Sequence, residues 1–572
     1  MAVRAAMRRA PLSTTTDTTA MTQTTDTTVI FQARKIITMN PMQPEATHVA
    51  VRDGRVLGVG SADELAGWGP ARLDTRFADK VLMPGLVEGH AHLLDGGMWN
   101  FIYTGFHDRR GPDGRLWPGV QSFEALIARL REAEAQLPDP TQPLLAWGFD
   151  PIHFGTARMT VQELDQVSTT RPVVVLHASV HLLNVNSAML RRAGISADTE
   201  TEGVAKDAEG QPTGELQEMA AMFPVFAAIG NVYFEAGLRE DGIRNFGRLA
   251  QLAGVTTASD LSNSLADEAV ANLVKVTSDP AFPLRLVPAY NPIRGPAQGG
   301  PEHVRRAMER NSDKLHFGLI KMVVDGSIQG FTARLRWPLY YNGQPNGIWV
   351  IPPQKTLELI DTYHAAGFTI HIHTNGDEAT EMVLDAVETV LRKHPRWDHR
   401  HTLQHCQLAD ATQFKRMAAL GMAVNLFANH LYYWGDAHYR LTVGPDRANR
   451  MNAAGTALRL GVPFSLHSDA PITPIAPLFT AWCAVNRQTA SGRTLGASER
   501  IGVYDALHAV TLGAAHTLRL DHCIGSIEVG KYADFAVLEQ DPLEVAPQDL
   551  RDVPVWGTVL GGQVFEAPTH PR

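Results

Sequence analysis

The chain has 572 residues, of which 44% are apolar and 19% are charged, a composition typical of globular rather than disordered proteins. Its formal net charge is −9, from 51 basic and 60 acidic residues, and it has no basic block or nucleic-acid-binding motif, so we expect no nucleic-acid partner. The three cysteines, Cys406, Cys483 and Cys523, form no C-x-x-C pair, which argues against both a disulfide framework and a thiolate zinc site. We therefore expect a cytoplasmic protein. No window of about 18 uncharged apolar residues occurs, so no membrane span is predicted.

The first 28 residues lack the pattern of a folded segment. Residues 1–12 are rich in Ala and Arg, and residues 14–28 contain ten threonines without hydrophobic periodicity. No apolar core follows the basic start, so a secretory signal is not predicted. We expect a disordered tail, of the kind that arises when translation starts upstream of Met21. An organelle transit peptide is the alternative, because the segment is basic, rich in hydroxyl groups and poor in acids.

Short strands joined by turns are predicted near both ends of the chain. The first group contains the hairpin signal Asp53–Gly54, and the second occupies Gly525–Leu543 and Val555–Glu566. We expect residues 29–83 and 515–572 to pair into one small β-sandwich domain that brackets the middle of the chain.

The middle of the chain, residues 84–514, alternates between strand and helix patterns, as parallel α/β folds do. Helices are predicted, for example, over Gln354–Ala366 and Asp410–Leu420, where apolar residues recur at three- and four-residue spacing. Eight strands are predicted: the segment that ends with His90 and His92, Val255–Asp260, Leu284–Tyr290, Phe317–Ser327, Phe368–Asp377, His401–Gln407, Gly421–Phe427 and Pro463–Asp469. Eight such units predict a TIM-like (β/α)8 barrel, whose active site lies at the C-terminal ends of its strands.

The interval between the first two barrel strands, about residues 98–235, is too long for a loop. It contains a predicted helix at Phe123–Gln136, a predicted strand at Val173–Val180 and many aromatic residues. We interpret it as an inserted subdomain over the barrel mouth, where it could shape a pocket. Aromatic residues in such a segment are more often core than substrate lining.

Ionisable side chains recur at the ends of the predicted barrel strands. His90 and His92 share one face of the first strand and could together hold Zn²⁺, although this pair alone fits two ordinary histidines equally well. Later strands end with Lys321, His371, His373, His405 and Asp469. Because unpaired ionisable groups are costly to bury, a metal centre explains the whole set better than packing does. Nitrogen and oxygen ligands without thiolate favour Zn²⁺ over Mn²⁺, Fe²⁺ or Ni²⁺.

Six motifs give the chain a family resemblance. They are PGLVEGHAH, IKMVVDGS, IHIHTNGDEA, LQHCQ, LHSDAP and GSIEVGKYADFAVL. Together they resemble the amidohydrolase superfamily, and most closely its amidohydrolase-3 branch, with the YtcJ-like proteins and the N-substituted formamide deformylases. One departure is Glu88, where many members have Asp; it precedes the ligands and does not replace one. The resemblance implies a metal-dependent barrel hydrolase with one or two Zn²⁺ ions, but it does not fix the substrate.

The resemblance also implies a role for the residues at the strand ends. His90 and His92 would bind the more buried ion, with Asp469 as its further ligand. His373 and His405 would bind a second ion. The implied reaction is attack by metal-activated hydroxide on a carbonyl group, with Asp469 carrying the proton to the leaving amine.

Two of the ligand assignments have alternatives. Lys321 corresponds to a family lysine that bridges two ions when it is carbamylated. Because a protonated amine cannot ligate a cation, the alternative is an unmodified lysine beside a single ion. His371 lies on the same strand face as His373 and is the alternative ligand there. Five further residues are candidates for substrate contact, each with a structural role as the alternative: His181, Asn186, Asp325, Arg334 and Asp377.

We therefore predict a hydrolase that cleaves a non-peptide C–N bond, in an amide, an N-substituted formamide or a similar small molecule. The alternatives are an ester, lactone or cyclic amide as substrate of the same centre, and a non-catalytic barrel with a regulatory or binding role. The intact ligand set argues against the last of these. The aromatic insert and Tyr432–Trp434 favour an apolar or aromatic pocket. A homodimer is expected because two-fold homodimers are the commonest oligomers.

Overall fold

A computed structural model describes residues 28–155, 157–296 and 299–567. Its centre is a sheet of eight parallel strands, paired in chain order: Leu86–Glu88, Val255–Asn263, Arg285–Tyr290, Leu319–Val323, Thr369–Thr374, Thr402–His405, Ala423–Leu426 and Phe464–Leu466. Just beyond the ends of the first and last strands, Ala91 and Ala470 form a parallel bridge that brings the two edges together. The predicted TIM-like barrel is confirmed. The predicted tail lies outside the described residues except for Thr28.

Helices connect consecutive barrel strands, as the alternating pattern predicts, and further helices follow the last strand. Those that follow the insert are Glu240–Leu252, Asp267–Thr277, Pro301–Met308, Pro353–Ala365, Asp377–Lys393, Ala411–Leu420, Asn429–Ala437, Gly444–Arg450, Ala454–Arg459, Pro477–Asn486, Val503–Ala509 and Leu512–Thr517. The ends of Ala411–Leu420 follow from its sequence. The Asp410 side chain accepts hydrogen bonds from the backbone N–H groups of Thr412 and Gln413, and Gly421 ends the helix in the left-handed conformation.

The two ends of the chain form one seven-stranded sheet. Its order is Gln563–Glu566, Val555–Leu560, Phe535–Leu538, Ala71–Pro84, Thr28–Ile37, Glu45–Arg52 and Arg55–Gly60. This sheet has its own apolar core, in which Phe31, Phe77 and Phe535 meet. From its central strand the chain enters the barrel through Gly85, where a Cβ atom would lie 2.0 Å from Oγ1 of Thr256. Only glycine fits that passage without displacement of the neighbouring strand.

A subdomain is inserted between the first two barrel strands. Its six-stranded sheet has the order Val204–Lys206, Pro212–Gln217, Leu182–Val185, Val173–His177, Leu144–Phe149 and Ile102–Tyr103, and Arg109–Arg110 pairs with Leu116–Trp117. The helices are Phe123–Ala135, Val161–Asp165, Ser187–Ala193, Glu218–Ile229 and Val232–Leu238, preceded by the short turn Leu94–Met98. Several of the predicted aromatic residues, including Tyr103 and Trp147, lie in its apolar core.

The most apolar helical segment of the insert is bent. Glu218–Ile229 and Val232–Leu238 meet at an angle of 78°, and only as a pair do they reach the length and hydropathy of a bilayer-crossing segment. Among the described residues, no single helix meets that standard.

Candidate metal centre

A cavity of about 580 Å³ opens at the C-terminal ends of the barrel strands. It is lined by all six residues that the sequence predicts as metal ligands, namely His90, His92, Lys321, His373, His405 and Asp469. The insert supplies another part of its wall, which includes His181, Glu218 and Phe234. Segments that are far apart in the sequence therefore enclose one site, at the end of the barrel where the active site of this architecture is expected.

The ligands from the first and last barrel strands lie together. Nε2 of His90 and Nε2 of His92 are each 3.2 Å from Oδ1 of Asp469. The backbone enforces this approach, because the Asp469 N–H donates to the His90 carbonyl at 3.0 Å and the His92 N–H donates to Ala470 at 2.8 Å. Asp469 has a φ of 55°, a conformation that residues other than glycine seldom adopt. The seam that closes the barrel is thus also the place where three ligand atoms converge.

A hydrogen-bonded chain behind His90 fixes the orientation of two histidines. Nδ1 of His90 donates to Oε1 of Gln404 at 2.8 Å, which leaves Nε2 of His90 with its lone pair toward the cavity. Nε2 of Gln404 donates to Nδ1 of His371 at 2.7 Å, and Nε2 of His371 donates to the carbonyl of Thr517 at 3.0 Å. Both ring nitrogens of His371 are therefore occupied inside the barrel. Of the two histidines on this strand, His373 is the one that lines the cavity.

Lys321 reaches the same group of ligand atoms. Its Nζ lies 3.4 Å from Nε2 of His90, and among the described residues no carboxylate oxygen lies within 4.0 Å of it. Burial lowers the pKa of Lys321 to about 7. A large fraction of this amine is consequently uncharged at neutral pH, the form in which nitrogen can act as a nucleophile.

His405 is oriented by a residue that we did not predict. Nδ1 of His467 donates to Oδ1 of Asn425 at 3.1 Å, so Nε2 of His467 accepts a hydrogen bond from Nδ1 of His405 at 3.0 Å. Nε2 of His405 then remains available to an ion. His467 was missed although it lies two residues before Asp469. The alternation of a strand puts both on one face, a signal already present in the motif LHSDAP.

His373 lies beside His405, with ring centroids 4.5 Å apart. Its Nε2 is 3.3 Å from the carbonyl of Gly326 and 3.6 Å from Oδ1 of Asp325. Asp325 is fully buried and accepts hydrogen bonds from the backbone of Arg334, Asn375 and Gly376, and burial raises its pKa to about 7. Asp325 thus supports the loop around His373 and does not line the cavity.

Three other candidates for substrate contact also lie outside the cavity. The Asn186 side chain caps the helix Ser187–Ala193 and donates to the carbonyls of Ser168 and Arg171. Arg334 donates to Gly347 and Glu378, and Asp377 accepts from the backbone of Arg336. Each of these side chains is hydrogen-bonded within its own loop or helix end and does not line this cavity, and its contact with substrate stays a prediction.

The walls of the cavity are mainly apolar. Its apolar side chains include Leu93, Leu94, Val180, Met219, Met222, Phe234, Leu238, Ile293, Val323, Val350, Ile351 and Ile472. Of the predicted substrate-contact residues, His181 is the one found there. The apolar character agrees with the prediction, and the insert supplies part of it as predicted, but Tyr432–Trp434 does not. Tyr433 and Trp434 instead line a separate small cavity, next to His107 and His153 of the insert.

The donor set fits a divalent metal ion. The ligand atoms of His90, His92 and Asp469 all lie within 4.8 Å of one another. Ring nitrogens of His405 and His467 lie equally close to His90, but both nitrogens of His467 are hydrogen-bonded, so His467 orients His405 and is not a ligand. Burial lowers the pKa of His90, His373 and His405 well below the usual value, which favours the neutral imidazoles that can ligate a cation. Neutral imidazoles with a carboxylate suit a borderline divalent ion.

Known proteins resemble the chain over nearly its whole length. YtcJ of Bacillus subtilis (strain 168) is 28% identical over 554 residues, which cover 94% of this chain and 98% of YtcJ. The N-substituted formamide deformylase of Arthrobacter pascens is 27% identical over 566 residues, which cover 95% and 98% of the two chains. The crystal structure of an uncharacterized metal-dependent hydrolase from Pyrococcus horikoshii OT3 shares the fold, with a TM-score of 0.69, 21% identity and coverage of 91% of this chain and 99% of that one. The sequence model of the amidohydrolase family matches residues 78–565, and the chain belongs to that family.

Proposed function

We propose that this amidohydrolase cleaves a non-peptide C–N bond in a small molecule, in an amide or an N-substituted formamide. The observation that carries the proposal is the convergence of His90, His92 and Asp469 in a cavity of about 580 Å³. The similarity to an N-substituted formamide deformylase supports the choice of bond. We also propose a reducing compartment such as the cytoplasm, an idea supported by three unpaired and buried cysteines.

The residues of the site have distinct tasks in this reaction. His90, His92 and Asp469 would hold one divalent ion, and His373 and His405 a second; we propose Zn²⁺. Such an ion supplies a polarised carbonyl group and a water molecule of lowered pKa. Asp469 accepts the proton of the attacking water and returns it to the leaving nitrogen. This assignment is supported by its place in the cavity wall, with Oδ1 between two histidines.

We further propose that Lys321 is carbamylated, a form in which its two oxygens would help to hold the two ions. The amine would attack carbon dioxide, form an N–C bond and release one proton, which gives a carbamate with two ligand oxygens. Two features support this step: the pKa of about 7, which keeps much of the amine uncharged, and the distance of 3.4 Å to Nε2 of His90. Mass spectrometry of the intact protein at neutral pH should show the mass of one added carbon dioxide, which Lys321→Met should lose.

The apolar walls suggest which substrates fit. Met222 and Phe234 line the cavity from the insert, and Val323 and Ile351 line it from the barrel. A buried apolar group gains about 25 cal/mol for each Å² removed from water. We therefore propose that the substrate carries an alkyl or aryl group on one side of the scissile bond. In a series of N-substituted formamides and amides, kcat/KM should rise with the apolar area of the substituent until the cavity is filled.

The decisive experiment combines metal analysis with a substrate panel. We expect the purified protein to contain near-stoichiometric divalent metal and to release amine from at least one amide or formamide. Asp469→Asn should reduce kcat by roughly 10²-fold or more, because the proton carrier is lost. The matched control Asp446→Asn changes an exposed carboxylate outside the cavity and should behave like the wild type. Protein that binds no metal would overturn the proposal in favour of a non-catalytic barrel. Turnover of esters or lactones alone would overturn the choice of bond.

A further inference from the structure

His181 and Glu218 form a pair in the wall that the insert contributes to the cavity. Nδ1 of His181 donates to Oε2 of Glu218 at 2.9 Å, and the backbone N–H of Glu218 donates to the carbonyl of His181 at 2.8 Å. Two contacts therefore hold the pair, one between side chains and one between backbones. They arise because Leu182 and Gln217, the neighbouring residues in the sequence, are register partners in adjacent antiparallel strands.

The backbone at Glu218 is in an uncommon conformation. Its φ is 62°, a value that residues other than glycine seldom adopt, and it begins the helix Glu218–Ile229 without a side-chain cap at Gln217. Local strain of this kind persists where the surrounding structure imposes it, and it concentrates at functional sites. Here it coincides with a carboxylate that is aimed at an imidazole inside the cavity.

The pair fixes the proton position on His181. A carboxylate only accepts hydrogen bonds, so Nδ1 carries a proton and Nε2 is the nitrogen that remains for a substrate. Within the described residues, Nε2 of His181 has no hydrogen-bond partner. Burial lowers the pKa of His181, but the charge and hydrogen bond of Glu218, with the charges of Asp469 and Asp325, outweigh burial and raise it. Burial raises the pKa of Glu218, and His181 in turn lowers it. These opposite shifts favour the ionised pair, in which Nε2 also carries a hydrogen.

We propose that His181 is a catalytic residue whose Nε2–H donates a hydrogen bond to the acyl oxygen of the substrate, and that Glu218 is its positioning residue. The inference rests on the proposed function. No bond to hydrogen breaks in this step: the proton stays on Nε2 while negative charge grows on the acyl oxygen during attack. A donor placed before the reaction stabilises such charge more than it stabilises the neutral carbonyl, which lowers the barrier. The insert therefore supplies a catalytic group as well as a wall.

The test compares three variants in the metal-loaded protein. Removal of one donor to a developing oxyanion reduces kcat by about 10²- to 10³-fold, and we expect this for His181→Asn with little change in KM. Glu218→Gln keeps an acceptor for Nδ1 but removes the charge, so the alkaline limb of the kcat/KM profile should move to lower pH. Glu209 is an exposed carboxylate of the insert, so Glu209→Gln should leave both kcat and the alkaline limb of the kcat/KM profile unchanged. Unaltered kcat in His181→Asn, or an unaltered alkaline limb in Glu218→Gln, would overturn the inference.

A second measurement separates this inference from the proposed function. NMR titration of the His181 ring should give a pKa above the ordinary value of about 6.5, and a lower one in Glu218→Gln, whatever the substrate is. A His181 pKa at or below that value in the wild type would overturn the inference. If only esters or lactones are hydrolysed, the proposed bond is wrong, but the same variants test the same donor, because those substrates also have an acyl oxygen.

Discussion

The carboxylate of Glu88 accepts two hydrogen bonds from Ser468, one from its backbone N–H at 3.1 Å and one from Oγ at 2.8 Å. It also accepts from the backbone N–H of His90 at 3.3 Å, and it is buried. Glu88 ends the first barrel strand, and Ser468 immediately precedes Asp469. One carboxylate thus holds together the two segments whose histidines and aspartate meet in the cavity. The residue that departs from the usual family pattern is part of the barrel seam.

Replacement of Glu88 should therefore weaken both the fold and metal binding. Glu88→Ala leaves three buried donors without an acceptor, and each such group costs about 1–3 kcal/mol, so we expect a loss of at least about 3 kcal/mol. Glu88→Gln keeps one acceptor oxygen and should lose less. Urea denaturation and metal content of the purified variants check this order. Equal stability and equal metal content in wild type and Glu88→Ala would contradict it.

Gln404 should control metal affinity from behind the ligands. Its Oε1 accepts a hydrogen bond from Nδ1 of His90, and its Nε2 donates one to Nδ1 of His371. Gln404→Leu removes both contacts while it nearly preserves volume, so His90 loses its fixed orientation. Loss of such a supporting contact typically weakens metal binding by about 10- to 100-fold. Competition with a chromophoric chelator measures the affinity, and circular dichroism verifies the fold. Wild-type affinity in a folded Gln404→Leu protein would show that the contact is dispensable.

The sequence was sufficient for the barrel and for the six predicted ligands that line its cavity, because the positions of strand ends depend on local periodicity. Strands and helices alternate with periods of two and about 3.6 residues, and strand ends can be located to within a few residues. His90 and His92 follow the first strand and flank the bridging residue Ala91, and residues two apart in such extended backbone share a face. Lys321, His405 and Asp469 are predicted at the ends of later strands, and the topology of a parallel barrel brings these strand ends to the same end of the barrel as the two histidines.

The choice between side chains on one strand required the structure. His371 and His373 have the same local pattern, and only Gln404 and Thr517, distant in the sequence, show that His371 is already hydrogen-bonded within the barrel. Asn186 in turn caps a helix of the insert. These outcomes depend on contacts between remote segments, which periodicity does not encode.

A group of histidines outside the cavity should make the fold sensitive to acid. Nε2 of His364 donates to the carbonyl of His394 at 2.7 Å, and Nδ1 of His401 accepts from the backbone N–H of Ile370 at 3.1 Å. Nε2 of His401 therefore donates to Nδ1 of His364 at 2.8 Å, and both rings are fully hydrogen-bonded in the neutral form. Burial lowers the pKa of both histidines. A proton added to either ring would have no acceptor.

The sign of the pH effect follows from these lowered pKa values. Above pH of about 6.5 both the folded and unfolded forms are neutral, and the pair has no pH dependence. Below pH of about 6.5, the unfolded chain binds protons that the folded chain does not bind, so the stability falls as the pH decreases. The loss is up to about 1.4 kcal/mol per pH unit for each histidine. His364→Gln should flatten this slope in denaturation curves between about pH 7 and pH 5. The exposed histidine His522 provides the control, since His522→Gln should retain the wild-type slope. Identical slopes in His364→Gln and wild type would refute the assignment.

An ion pair joins the barrel to the terminal sheet. Arg285 of the third barrel strand donates to Asp534, which precedes the strand Phe535–Leu538, and both side chains are at most 3% exposed. Asp534 also accepts from the backbone N–H of Gly561 at 2.8 Å, and Nε of Arg285 donates to the carbonyl of Asp313 at 2.6 Å. Asp534→Ala leaves a buried guanidinium without its anion, which should destabilise the protein by about 3–5 kcal/mol. The double variant Arg285→Met with Asp534→Ala removes the uncompensated charge, so it should be more stable than Asp534→Ala alone. Urea unfolding of both variants measures the difference in stability. A double variant that is less stable than Asp534→Ala alone would show that Arg285 contributes chiefly through packing and its hydrogen bond to Asp313.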